Sequence, residues 1–239
     1  GGAGLIVAEA TAVVPEGRIS PRDAGLWNDE QRDAWVPVVE AIHSRGAVAG
    51  IQLAHAGRKA STWWPWADAR GSVPAADGGW TTTAPSDIAF DGFAEPAALD
   101  QDGIDAVVEG FASATRRALD AGFDVLEVHG AHGYLLHQFL SPLSNLRDDE
   151  YGGSLENRAR LLIRVVGAIR EVAGDGVPVF VRISATDHAE GGFTPDEAAI
   201  VSGWATEHGA DLIDVSSGGL VAHQQISVFP GYQVPLAEN

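Results

Sequence analysis

The stretch that decides the fold is Val125-Leu-Glu-Val-His-Gly-Ala-His-Gly-Tyr-Leu-Leu-His-Gln-Phe-Leu-Ser-Pro142. It opens as an apolar run with a single acid and places two histidines and a tyrosine where the run ends. In a parallel strand both faces are covered, so alternate side chains face helices or a barrel interior. Polar groups at the carboxyl end of such a strand carry the chemistry of α/β folds. The stretch therefore predicts a buried parallel strand that ends in a functional site.

The rest of the chain alternates strand and helix about five times around this stretch. Further strands are predicted at 4–14, 48–55, 177–184 and 210–217, and helices at 28–45, 100–121, 154–172 and 195–208. No linker or change in composition interrupts residues 1–239, which predicts a single domain. A tryptophan-rich insertion loop at about 60–95 is predicted to be a folded lid or collar, because disordered linkers seldom carry several tryptophans.

The number of strand–helix units limits the choice of α/β architecture. About five units are too few to close an eight-stranded barrel, and no Gly-x-Gly-x-x-Gly turn or phosphate-binding loop marks a doubly wound nucleotide-binding sheet. The sequence therefore predicts a partial (β/α)8 TIM barrel whose first and last strands are missing. An apolar start and a helix-like turn at 235–239 lead us to expect a fragment.

Composition excludes several classes of partner. The formal net charge of −18 argues against broad binding to nucleic acid or anionic membranes, because a basic patch could not easily form. No apolar run approaches the roughly 20 residues that a membrane span requires. The chain has no cysteine, so disulfides, thiolate metal sites and a cysteine nucleophile are excluded. Without a signal-peptide pattern at the start, we expect a cytoplasmic protein.

Two polar side chains stand in strands that are otherwise apolar. Gln52 ends the second strand, and its carboxamide can both donate and accept, which suits the O=C–N–H edge of a ring. Arg182 alternates with valines in the strand at 177–184, and a buried guanidinium needs an anion or strong acceptors. Its partner is predicted to be Glu127 on the preceding strand or a ligand with an electron-rich heterocycle, and the two do not exclude each other.

The histidines allow two interpretations. His129 and His132 can be a pair of donors that hold a substrate oxygen or nitrogen anion. They can also begin a metal site, for which His55, Glu127 or Asp187 would have to supply further ligands. Tyr134 is a candidate proton donor or a packing residue. Lys59 and the tryptophans at 63–66 either wall a pocket or belong to a solvated loop.

Several motifs, taken in order, resemble the Old Yellow Enzyme family of flavin ene-reductases, in particular its bacterial, thermophilic-like branch. The matching segments cover nearly the whole chain and lie at 9–13, 52–59, 129–134, 143–154, 156–158, 180–184 and 229–232. The resemblance implies a TIM barrel with non-covalent FMN. Ala10 would pack beside the flavin, and Gln52 and Arg182 would bond its pyrimidine ring.

The resemblance also implies a reaction. NAD(P)H would be the reductant and an activated alkene, such as an α,β-unsaturated carbonyl compound, the acceptor. His129 and His132 would bind the carbonyl or nitro oxygen of the alkene, Tyr134 would protonate its α-carbon, and Lys59 would line the same substrate site. No metal is expected, and the full-length protein is expected to be a homo-oligomer.

The chain also departs from the family pattern. The family's first strand and its last two strands, which supply the phosphate-binding turn, are not found in it, so we expect these 239 residues alone to bind FMN poorly or not at all. Two other hypotheses remain: an inactive truncated barrel fragment, and a TIM-barrel metalloenzyme that uses His129 and His132.

Overall fold

The computed structural model of the chain describes residues 2–238. Five parallel strands form one sheet in the order β1-β2-β5-β6-β7, and a two-stranded parallel ladder, β3-β4, lies apart from it. The strands are β1 (Leu5–Ala12), β2 (Val48–Ala54), β3 (Thr83–Ala84), β4 (Ala97–Ala98), β5 (Val125–Gly130), β6 (Val179–Ser184) and β7 (Leu212–Ser216). The helices are α1 (Asp29–His43), α2 (Gln101–Asp120), α3 (Leu135–Leu140), α4 (Leu155–Ala173), α5 (Pro195–Glu207) and α6 (Val234–Ala237).

The helices begin where the sequence provides a cap. The Asn28 side chain accepts from the Gln31 amide, and the Gln31 side chain accepts in return from the Asn28 amide, which closes a capping box at the start of α1. Thr194 and Glu197 close a second capping box on α5. Such pairs satisfy amides that have no acceptor inside the helix. The predicted boundaries of these helices agree with the structure to within two residues.

We expect Asn28→Ala to lower the free energy of unfolding by about 1 kcal/mol, because it removes the acceptor of the Gln31 amide. Asn28→Gly is the matched control and should cost only a few tenths of a kcal/mol, since glycine is itself tolerated at this position. Urea unfolding of the two variants beside the wild type measures the difference. Equal losses in both variants would contradict the assigned cap.

The sheet has one apolar face and one polar face. On the apolar face, side chains of β2, β5 and β6 pack with α2 and α4 in the main hydrophobic core. These strand residues are Ile51, Leu53, Leu126, Val128, Val179, Val181 and Ile183. The alternate residues turn to the opposite face, where the concave side of a barrel lies. The polar side chains of β2, β5, β6 and β7 discussed below belong to that second face.

The two outer strands differ from the expectation of fully buried strands. Leu5, Ile6 and Val7 of β1 are 37–42 % exposed, and Leu212 at the start of β7 is 45 % exposed. β1 pairs only with β2 and β7 only with β6 in the sheet of residues 2–238, so each has one unpaired edge. A strand at an edge cannot bury its side chains between two neighbours, which explains the difference.

Two further segments add to the predicted pattern. Helix α3, entirely buried, follows the histidine-containing turn directly and is absent from the elements that the sequence predicts. The long loop contains one 3-10 turn (Ala75–Asp77) and β3, which pairs with β4. Arg22 lies 4.0 Å from the ring centre of Trp64, while Trp66 is exposed.

Between residues 2 and 238, every helix is too short or too polar to span a lipid bilayer.

Candidate active site

Four side chains on the polar face form what we call the polar row: Gln52, Glu127, Arg182 and Asp214. Strand register places Gln52 beside Glu127 and Arg182 beside Asp214. The Gln52 amide nitrogen donates to the Glu127 carboxylate at 2.5 Å. The Arg182 Nε lies 3.1 Å from an Asp214 carboxylate oxygen. The row therefore contains two neighbouring pairs, each joining adjacent strands.

The partner of Arg182 differs from the one expected. The sequence predicted Glu127 or a ligand, whereas the close ion pair is with Asp214. The reason is register: Asp214 is the direct neighbour of Arg182 across β6 and β7, whereas Glu127 pairs in register with Phe180. Arg182 and Asp214 are 35 % and 38 % exposed, so the guanidinium keeps a face that a ligand can approach. A ligand on this face remains compatible with the pair.

The buried position of Glu127 disfavours the charged form of its carboxyl group. Burial raises the pKa of its carboxyl group, and the negative charge of Asp214 adds to that effect. The hydrogen bond from Gln52 and the positive charge of Arg182 act in the opposite direction. Because Glu127 accepts one N–H of the Gln52 carboxamide, the Gln52 carbonyl oxygen and the second N–H are left for a ligand.

The two histidines lie together at the carboxyl end of β5. The ring centres of His129 and His132 are 5.1 Å apart and the planes are nearly perpendicular. His129 is 3 % exposed, and its Nδ1 has no hydrogen-bond partner within residues 2–238. His132 Nε2 lies 2.6 Å from the hydroxyl of Ser216, which also accepts from Gln233 at 3.1 Å. A buried ring nitrogen without a protein partner is open to a ligand atom or a water molecule.

Both rings are uncharged at neutral pH. Burial lowers the pKa of His129 to about 3, and the positive charges of His132 and Arg182 add to the effect. Burial likewise lowers the pKa of His132 to about 4, with a further contribution from Arg182. Each neutral imidazole has one N–H donor and one acceptor nitrogen. The pair can therefore donate hydrogen bonds to an oxygen atom without carrying positive charge.

The turn that carries His132 has an unusual backbone. His132 and Gly133 both have positive φ, 58° and 73°. A non-glycine residue in this region costs roughly 1 kcal/mol or more and persists only where its surroundings impose it. The His132 amide donates to the Ser184 hydroxyl at 2.9 Å, and a Cβ on Gly133 would lie 2.1 Å from the carbonyl oxygen of Gly219. Contacts from two other strand ends thus impose the turn.

Tyr134 lies at the start of α3 with its ring against His129. The ring centres are 5.0 Å apart in an edge-to-face arrangement. Its side chain makes no capping bond to the helix. Burial raises the pKa of the phenol, with an added effect from the negative charge of Asp23. The phenol therefore keeps its proton at neutral pH. The same ring lines a narrow cavity with Ala10.

Lys59 reaches the same turn from the loop after β2. Its ammonium donates to the carbonyl oxygens of His132 and Gly219 at 2.8 and 2.9 Å. It also lies 5.0 Å from the ring centre of Tyr134. Burial lowers its pKa to about 8, and the charge of Arg58 contributes in the same direction. Lys59 therefore belongs to the site rather than to a solvated loop.

The lowered pKa of Lys59 predicts a pH-dependent stability. Between pH 8 and 10.5 the unfolded lysine is protonated and the folded one is not, so folding becomes more favourable as pH rises through this window. We expect the free energy of unfolding of the wild type to rise relative to that of Lys59→Met across it. Urea unfolding at several pH values measures the difference, and a constant difference would contradict the burial of the ammonium.

The residues named as possible further metal ligands make other contacts in the structure. Across residues 2–238 no three histidine or acidic side chains approach in a way that could hold a metal ion. His55, named as a possible ligand, is buried, and its Nδ1 accepts from the Gly57 amide at 3.0 Å. Asp187 is occupied by Ser141 and the Phe193 amide at 2.6 and 2.7 Å.

Comparison with known proteins agrees with this geometry. A model of the NADH:flavin oxidoreductase / NADH oxidase family matches residues 1–233. The chain belongs to this family. FMN is the family's cofactor, and the names of its relatives point to NAD(P)H as the reductant. The resemblance to the Old Yellow Enzyme family is thereby confirmed.

Named relatives of this chain include bacterial NADPH dehydrogenases. Those of Halalkalibacterium halodurans and Bacillus subtilis are 49 % and 46 % identical to it, over 100 % of this chain and 65 % of their own length. The chain thus spans about two thirds of the curated relatives it matches. Morphinone reductase superposes with a TM-score of 0.80 at 31 % identity, over 99 % of this chain and 65 % of that one. The old yellow enzyme homologue of Zymomonas mobilis is 29 % identical, over 99 % and 66 %.

These likenesses confirm the partial (β/α)8 barrel, because five consecutive strand–helix units of this chain superpose on part of longer enzymes. Of the predicted site residues, the structure brings His129, His132, Tyr134 and Lys59 into one cluster. Gln52 and Arg182 lie on the same sheet face, and Ala10 lines a narrow cavity with Tyr134.

Three polar residues of the site are not among those that the sequence predicts. Asp214 is a lone acid in an apolar strand, the same signal that marks Glu127. Ser184 and Ser216 end β6 and β7, at the edge where the polar ends of β2 and β5 also lie. Serines at strand ends are too common to be singled out without the fold.

Proposed function

We propose that this chain forms the flavin-facing and substrate-facing side of an FMN-dependent NAD(P)H oxidoreductase that reduces activated alkenes. The observation that carries the proposal is the pair of neutral histidines at the end of β5, with an unpartnered buried nitrogen on His129. Donors of this kind suit an uncharged carbonyl or nitro oxygen on which negative charge develops. Family membership supplies the redox chemistry.

The donors on the polar face fit the pyrimidine ring of a flavin. Gln52 offers a carbonyl oxygen and Arg182 a half-exposed guanidinium, which match a ring edge that both donates and accepts. The cation also favours negative charge on the ring, since opposite charges attract most strongly where water is partly excluded. Ala10 leaves room for a flat ring because it adds only a methyl group. When bound, FMN supplies hydride transfer from NAD(P)H to the substrate.

The remaining residues bind the alkene and donate a proton to it. His129 and His132 bind its oxygen and so draw electron density from the carbon–carbon double bond. Tyr134, whose phenol remains protonated, donates the proton to the α-carbon. Lys59 lines the same substrate site and holds the His132 turn. A cytoplasmic location and a homo-oligomer in the complete protein stay predictions.

Anaerobic absorption spectroscopy tests this function. The chain is examined alone and joined to the flanking segments of the Bacillus subtilis NADPH dehydrogenase, which covers it at 46 % identity. We expect NADPH to bleach the FMN of the joined protein and an activated enone to restore the colour. If NADPH bleaches the flavin and no enone restores its colour, the assignment of alkenes as substrates is contradicted. Bound zinc in place of flavin would favour the metalloenzyme hypothesis.

The chain alone is the second arm of that experiment. The unpaired edges of β1 and β7 support our expectation that it binds FMN poorly, because strands that would complete the flavin's surroundings are not part of the sheet. Tight FMN binding by the chain alone would show that the five strands suffice.

A further inference from the structure

His137 is a buried histidine for which the proposed chemistry has no use. It lies on α3, five residues after His132 and three after Tyr134, and its side chain is 0 % exposed. The carboxylate of Asp187, from the loop after β6, is equally buried and approaches it. A buried titratable pair next to a catalytic turn needs a reason, because burying polar groups is costly unless each is satisfied.

The hydrogen bonds of His137 fix its protonation pattern. Its Nδ1 accepts from the amide of Gly133 at 2.9 Å. A ring nitrogen that accepts carries no hydrogen, so in the neutral ring the hydrogen is on Nε2. That Nε2 lies 2.8 Å from Asp187 Oδ1, in a close contact whose geometry is not that of a linear hydrogen bond. Asp187 itself accepts from the Ser141 hydroxyl and the Phe193 amide, which anchor it.

The amide that His137 binds lies at the centre of the strained turn. Gly133 stands between His132 and Tyr134, and it precedes the first turn of α3, where amides find no acceptor inside the helix. The turn is held from other sides by Ser184, which accepts from the His132 amide, and by Lys59, which donates to the His132 carbonyl. His137 provides the acceptor on the helix side.

We propose that His137 is a positioning residue: by accepting the Gly133 amide, it holds the left-handed turn that directs His132 and Tyr134 into the site. Asp187 keeps the hydrogen on Nε2 and thereby keeps Nδ1 free to accept. The catalytic consequence rests on the proposed function, whereas the hold on the turn does not. Neither His137 nor Asp187 touches the substrate in this account.

Two substitutions separate the two contacts of the ring. In His137→Asn the side-chain oxygen can take the place of Nδ1 and accept from Gly133, but the side chain is too short to reach Asp187. In His137→Gln the polar end lies farther out, where Nε2 faces Asp187, and the Gly133 amide loses its acceptor. The proposal requires the asparagine variant to keep the turn and the glutamine variant to release it.

Nuclear magnetic resonance of the ¹⁵N-labelled chain without flavin is the first measurement. In the wild type we expect long-range ¹H–¹⁵N correlations to place the His137 hydrogen on Nε2. We expect the Gly133 amide to exchange with solvent roughly tenfold faster in His137→Gln, because a buried donor has lost its partner. In His137→Asn its exchange should stay within about twofold of the wild type.

A hydrogen on Nδ1 in the wild type, or equal exchange at Gly133 in both variants, would overturn the proposal. Because the wild-type measurement needs no substitution, it can overturn the proposal even if the glutamine variant does not fold. In flavin-loaded protein, His137→Gln should lower kcat with FMN affinity unchanged, and His137→Asn should restore it. A chain without reductase activity would leave the resonance result intact, so the two proposals fail separately.

Discussion

In flavin-loaded protein, His132→Ala is expected to lower kcat for an activated enone about 100-fold. Preorganised donors aimed at a developing negative charge are commonly the largest single contribution to such reactions. His132 is held in a left-handed conformation, and its ring lies 2.6 Å from Ser216, so it needs little reorganisation when the substrate binds. Alanine removes the donor and leaves the substrate oxygen with His129 alone.

The measurement separates the two halves of the reaction. Stopped-flow reduction of the flavin by NADPH and its reoxidation by the enone are followed in the wild type, in His132→Ala and in His208→Ala. His208 is exposed, at the end of α5, and serves as a matched control for loss of an imidazole. We expect the enone half-reaction to slow only in His132→Ala. Equal rates in all three proteins would remove the histidine pair from the mechanism.

Gly133→Ala is expected to destabilise the folded chain by about 3 kcal/mol or more. The new Cβ would lie 2.1 Å from the carbonyl oxygen of Gly219, and this neighbour is backbone that cannot rotate away. The φ of 73° adds the strain of a left-handed alanine. Both effects act on the turn between His132 and Tyr134.

Gly153→Ala is the control for backbone strain alone. Gly153 has a φ of 80°, similar to that of Gly133, but a Cβ there would meet nothing within 4 Å. We expect it to lose only about 1 kcal/mol. Urea unfolding of both variants gives the two free energies, and their difference isolates the collision with Gly219. Similar losses in both variants would mean that the backbone at Gly133 is not as close to Gly219 as the structure shows.

The sequence predicts most of the regular structure because the local signals agree with the fold. Asn28 and Thr194 cap helices that the apolar periodicity also predicts, and the alternation along 125–130 marks a strand with two different faces. The exposed start of β1 escapes prediction, since Leu5-Ile-Val reads as a buried strand whatever its neighbours are. The burial of a strand depends on the strands beside it, and the residues of β1 alone do not indicate which strands those are.

The candidate site divides in the same way. His129, Gln52 and Arg182 can be singled out from the sequence because a polar side chain buried in an apolar strand costs free energy unless it has a hydrogen-bonding or charged partner. The partner of Arg182 depends on strand register, which the composition of β7 does not specify, and so Asp214 was missed. The crossing of Gly133 and Gly219 and the bonds of Lys59 join segments far apart in the chain. Contacts of that kind become visible only in the folded structure.

The most direct test of the central claim is an FMN titration of the chain joined to the flanking segments of the Bacillus subtilis relative, followed by flavin fluorescence. We expect saturable binding of one FMN per chain, weakened by Gln52→Leu and by Arg182→Leu, whose side chains face the pyrimidine ring in this account. His208→Ala should leave the affinity unchanged. A folded protein that binds no FMN, or binds it equally well without Gln52 and Arg182, would contradict the claim that the polar face of this sheet holds the flavin.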